Sequence, residues 1–71
     1  MTDLQQELLK KLENGLVHMV NDGHKEWAAS LSPIVEYLYQ GEPEMAVLEG
    51  EANGFSPEVL EEIRKTFDVR Y

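Results

Sequence analysis

The sequence predicts an all-α protein: a single domain over residues 1–71, built as a small bundle of four or five short helices. Three observations carry that reading. Apolar residues recur at helical spacing in two long stretches, Leu4 to Val20 and Val59 to Phe67. Turn signals punctuate the chain at Asn21-Asp22-Gly23, Gln40-Gly41-Glu42-Pro43 and Asn53-Gly54. No stretch alternates β-branched and polar residues as a half-buried strand would.

The first helix runs from Leu4 to Val20. At about 100° per residue, Leu4, Leu8, Leu9, Leu12, Leu16, Met19 and Val20 fall in one arc of roughly 160°. Gln6, Glu7, Lys10, Lys11, Glu13, Asn14 and His18 take the opposite arc, and Val17 alone is out of phase. Thr2 followed three residues later by Gln5 has the form of a capping box, which satisfies two orphan amides at the helix start. Asn14-Gly15 has the composition of a turn, yet the apolar phase passes through it unbroken. The reading is one helix with a close packing contact at Gly15, held despite a cost of about 1 kcal/mol relative to alanine. Gly23 then ends the helix in the left-handed conformation.

A second stripe follows at Trp27, Leu31, Ile34, Val35 and Leu38, with Trp27 expected to anchor the core. Pro33 interrupts it, and Ser32-Pro33 is itself a good helix start. A break near Ser32 is therefore expected. Glu44 to Ala52 has helix-forming residues with Met45 and Leu48 three apart, and Gly50 weakens its end. Ser56-Pro57-Glu58 opens the last helix with a cap, a first-position proline and an acid that complements the helix dipole. Val59, Leu60, Ile63 and Phe67 line its apolar face. Glu61 and Lys65 are spaced for an exposed ion pair, and Val69, Arg70 and Tyr71 are expected to fray.

Composition bounds the rest. A chain of 71 residues allows one domain, and one of this size buries only about 60 % of the surface its unfolded form exposes. Its 42 % hydrophobic content is nevertheless that of a folded protein rather than a disordered acidic tail. There is no cysteine, which excludes disulfides and thiolate metal sites and suits a reducing compartment. No apolar run approaches the roughly 18 residues that span a bilayer. The N-terminus has no basic region followed by an apolar signal core, so the expected location is the cytoplasm.

Charge is the most informative functional feature. Between Glu26 and Ile63 stand nine carboxylates, Glu26, Glu36, Glu42, Glu44, Glu49, Glu51, Glu58, Glu61 and Glu62, and neither lysine nor arginine. Most of the net charge of −8 lies there. A field of one sign repels nucleic acid and anionic membrane and steers basic partners inward. Solvated helix faces are the plainer explanation, since glutamate is a common surface residue and a good helix former.

The run Gly50-Glu51-Ala52-Asn53-Gly54-Phe55-Ser56-Pro57-Glu58-Val59-Leu60-Glu61-Glu62-Ile63-Arg64 resembles a helix-turn-helix. A small residue is followed four positions later by a turn glycine, then by Ser-Pro and apolar residues spaced to pack a second helix. The resemblance implies a helical pair. It departs from the DNA-binding pattern at Glu49 and Asn53, which stand at usually apolar places, and at Glu58, Glu61 and Glu62. Those carboxylates on a recognition helix would be repelled by phosphates, so direct DNA binding is not expected.

Nothing in the chain reads as catalytic, metal-binding or cofactor-binding. No G-x-S-x-G, P-loop or H-E-x-x-H pattern occurs. His18 and His24 do not share a helical face, and Glu58 and Glu62 lack a histidine at the Glu-x-x-His spacing of carboxylate metal bundles. No enzyme activity and no cofactor are expected.

Tyr37 and Tyr39 flank Leu38, so both cannot face one interior, and an exposed tyrosine is a common interface anchor. The sequence thus predicts a small non-catalytic interaction protein, a regulator, inhibitor or accessory subunit. Its partner is a protein with a basic surface, and its contact residues are Glu36, Tyr37, Tyr39, Glu42 and Glu44. Two alternatives stand beside it. One is a homodimer formed through the leucine-rich first helix. The other is mimicry of the DNA phosphate array, inhibiting a DNA-binding protein.

Overall fold

In the computed structural model, which describes residues 1–69, four helices follow one another: α1 (Asp3–Asn21), α2 (Lys25–Tyr39), α3 (Pro43–Ala52) and α4 (Pro57–Thr66). There is no strand among the described residues. Helix α2 packs against both α1 and α3, α3 packs on α4, and α4 returns to α1 to close the bundle. The core between them is one cluster of Leu8, Leu9, Leu12, Leu31, Ile34, Val35, Leu38, Ala46, Val47, Leu60 and Ile63.

Local chemistry sets the helix ends. Thr2 and Gln5 form the capping box that opens α1, with Gln5 N–H donating to Thr2 Oγ1 at 3.2 Å and Thr2 N–H to Gln5 Oε1 at 2.9 Å. The first three helices all close on a glycine at positive φ: Gly23, Gly41 and Gly54. In each, the glycine N–H reaches back to the carbonyl three residues earlier, and the next N–H to the carbonyl five earlier (His24 to Met19, Glu42 to Tyr37, Phe55 to Gly50). This double bond pattern satisfies the last carbonyls of a helix. Helix α4 repeats the longer of these two bonds, with Val69 N–H on the Arg64 carbonyl at 2.9 Å and Asp68, at φ 53°, in the glycine's place. Val69 is therefore tied down and packs on the core rather than fraying; the expectation for Arg70 and Tyr71 lies outside the described residues. Gln5 Nε2 donates to the Thr66 carbonyl at 3.3 Å, joining the start of α1 to the end of α4.

Several expectations are corrected. Helix α2 runs through Pro33 without a break. The proline removes the hydrogen bond to the Ala29 carbonyl, but Ala29 is exposed, so water can serve that oxygen. Keeping the helix whole buries Leu31, Ile34, Val35 and Leu38 on one stripe, and burial of each such side chain is worth about 1.5–3 kcal/mol.

Trp27 is 60 % exposed rather than a core anchor, because Ala28 takes the inward position in that first turn. Its ring stacks on His24 at a centroid distance of 4.8 Å. Gly15 makes no close contact, whereas Gly50, expected only to weaken α3, is buried against α4. Finally, Glu61 pairs with Arg64 at 3.3 Å instead of with Lys65, and Ser56, although at the N-cap of α4, makes no capping hydrogen bond. Leu4 and Val20, at the two ends of the α1 stripe, are exposed.

Candidate protein-docking surface

The bases of the described chain are confined to a few places. Of the lysines and arginines described, Lys10 and Lys11 lie on α1, Lys25 begins α2, and Arg64 and Lys65 end α4. From Glu26 to Ala52, most of α2 and all of α3 carry Glu26, Glu36, Glu42, Glu44, Glu49 and Glu51 with no base among them. Arg64 reaches across to this side, holding Glu51 at 2.8 Å while it also holds Glu61.

The five expected contact residues do not form one patch. Glu36 and Tyr37 share a shallow hollow of about 340 Å³ with Pro33 and Gln40. Tyr37 is half-buried and packs on the core. Tyr39 lies in a different depression, with Leu9, Lys10 and Glu13 of α1. Glu42 and Glu44 stand at the start of α3, where the N-terminal dipole favours an acid. The tyrosines thus diverge as residues two apart on a helix must.

Tyr39 is 57 % exposed, and its hydroxyl donates a hydrogen bond to the Glu13 carboxylate. That bond, reinforced by desolvation and by the carboxylate's charge, raises the phenol pKa above its ordinary 10.0. The tyrosine therefore ties α2 to α1 as well as presenting a ring to solvent.

Two exposed apolar features were not singled out by sequence reasoning. The first is the outer face of α3. Ala46, Val47 and Gly50 point into the core, and the larger Met45 and Leu48 point out, 44 % and 50 % exposed. The positions 46, 47 and 50 form a helical face of their own, and that signal could have found the inversion. The second is a groove of about 390 Å³ at the other end of α2, lined by Met19, Trp27, Phe55 and Val59 with Ser30 and Ser56 at its edge. A tryptophan placed by its helix phase among core residues gave no sign of this.

Among the described residues, no three His, Asp or Glu side chains gather as metal ligands would, and no helix is long and apolar enough to cross a membrane. No protein-family model matches the chain, and neither a similar curated protein nor a similar solved structure is found, so any functional reading rests on these residues alone.

Proposed function

We propose that this protein is a small non-catalytic interaction module whose acidic α2–α3 side docks on a basic protein. The observation that carries the reading is the segregation of charge: six carboxylates from Glu26 to Glu51 with no lysine or arginine between them, on two helices packed side by side. Such a surface raises the rate of encounter with a basic partner and disfavours anionic ones. Self-association through α1 has less support, because Leu8, Leu9 and Leu12 are covered within one chain and only Leu4, Val17 and Val20 remain exposed along that helix.

Affinity capture from the native cell extract tests the proposal, with the wild type and the Glu42→Lys/Glu44→Lys variant compared at about 0.1 M and about 1 M salt. The Debye length falls from about 10 Å to about 3 Å between those conditions. A basic protein should be retained by the wild type at low salt, and lost both at high salt and with the variant. A partner held equally in all conditions would reduce the acidic surface to a solubility device.

A further inference from the structure

The α3 helix is built inside out. Its small residues Ala46, Val47 and Gly50 face the core, while its two largest apolar side chains, Met45 and Leu48, face solvent with the exposed Ala52 in line behind them. Apolar residues thus stand on both the inner and the outer side of α3. Here one side has no cover.

Carboxylates frame the uncovered stripe. At about 100° per residue, Glu44 and Glu51 project along one edge of Met45, Leu48 and Ala52, and Glu49 along the other. We infer that this face is the seat of an amphipathic helix of the basic partner, one whose apolar stripe meets Met45 and Leu48 while lysines and arginines on its flanks meet Glu44 and Glu49. This deepens the proposed function and rests on it.

Charge selects this occupant over the others. A second copy of the chain laid face to face would set Glu44 and Glu49 against the same carboxylates, and an anionic membrane would meet the same repulsion. A basic helix instead gains both apolar area and opposite charge, the usual division of labour when a helix docks in a groove. Ten residues give a helix about 15 Å long, so the contact is small and its affinity should be no better than micromolar.

Nuclear magnetic resonance titration of the full chain tests the inference. The probes are a synthetic helical peptide with leucines on one face flanked by lysine and arginine, the same peptide with glutamate flanks, and a scrambled basic peptide. The basic amphipathic peptide should shift the amides of residues 44–52 and bind at least tenfold more tightly than either control. Met45→Ser/Leu48→Ser should weaken it at least tenfold while the variant keeps the wild-type fold by circular dichroism, since neither side chain belongs to the core cluster. If that peptide and the scrambled one bind equally, and binding ignores the double substitution, this face is not the seat although basic docking stands. If no basic peptide binds at all, both readings fall. A concentration-dependent dimer abolished by Leu48→Ser, or binding to anionic vesicles abolished by it, would give the face to a second copy or to a membrane and overturn the inference.

Discussion

Gly50 of α3 lies beneath the side chain of Leu60 on α4. A Cβ built on the glycine would overlap Leu60 Cδ2 and stand 3.2 Å from Ile34 Cδ1. The absence of a side chain at position 50 thus sets how closely α3 approaches α4, and it brings α2 into the same contact through Ile34. Leu60 is only 3 % exposed and Ile34 fully buried, so making room for a Cβ means moving a core side chain.

Gly50→Ala should therefore destabilise the protein. Overpacking a core typically costs about 1–3 kcal/mol, against a gain in helix propensity of about 1 kcal/mol, which leaves a net loss of up to about 2 kcal/mol. The cause is separable from the effect. Leu60→Ala alone should cost about 2–5 kcal/mol as a buried truncation, but less in the Gly50→Ala background, where the new methyl fills part of the space. Denaturant unfolding of the four proteins should give a coupling of at least about 0.5 kcal/mol. Strict additivity would mean that the two residues do not share the contact.

Gly15→Ala should have the opposite sign. Nothing lies within 4 Å of the position its Cβ would occupy, and the residue is inside α1. Only the propensity term remains, a stabilisation of about 1 kcal/mol, which in a domain of this size raises the melting temperature by about 4–8 °C. An unchanged or lowered melting temperature would restore a packing role for this glycine.

These two glycines mark where the sequence stops being legible. Phase along a helix tells which face a residue occupies, and so the stripes of α1 and α4, the Thr2–Gln5 box and the glycine terminators could all be read directly. Phase does not tell what stands opposite, which is why close approach was expected at Gly15 and is found at Gly50. Pro33 misleads for a related reason: its local cost is visible in the sequence, while the burial of Leu31 through Leu38 that outweighs it is a property of the assembled bundle. The acidic surface was legible because charge needs no fold to be counted. Its geometry was harder to read, because the face that α3 buries is marked only by the small residues Ala46, Val47 and Gly50, while the larger Met45 and Leu48 stand on the other side.

The Tyr39–Glu13 hydrogen bond should appear in the pH dependence of stability. The folded phenol holds its proton to a higher pH than the ordinary 10.0. Its contribution is fully present below pH 10.0, where both states are protonated. Above that, the unfolded chain ionises first and is favoured, so stability declines as pH rises toward the folded pKa. Tyr39→Phe removes the hydroxyl and should lower stability near neutrality while flattening this part of the alkaline decline. Denaturant unfolding at intervals from about pH 8 to about pH 11 measures the difference between the two proteins. Parallel curves would show that the bond does not persist in solution.

Trp27 supplies the last prediction, because its position separates a groove-lining residue from a core anchor. A buried tryptophan truncated to alanine costs about 3–5 kcal/mol. Trp27 is 60 % exposed and stacks on the ring of His24, itself exposed at the N-cap of α2. Trp27→Ala should therefore cost no more than about 1 kcal/mol, close to the range of ordinary surface changes. Tyr37→Ala is the internal comparison: Tyr37 is half-buried against the core, so its loss should be the larger of the two despite the smaller side chain. As Trp27 is the protein's one tryptophan, its fluorescence gives a second readout. The native emission should already be that of a partly hydrated indole and shift only slightly on unfolding. A large red shift on unfolding, together with a loss of 3 kcal/mol or more in Trp27→Ala, would place the ring in the core and close the groove it lines.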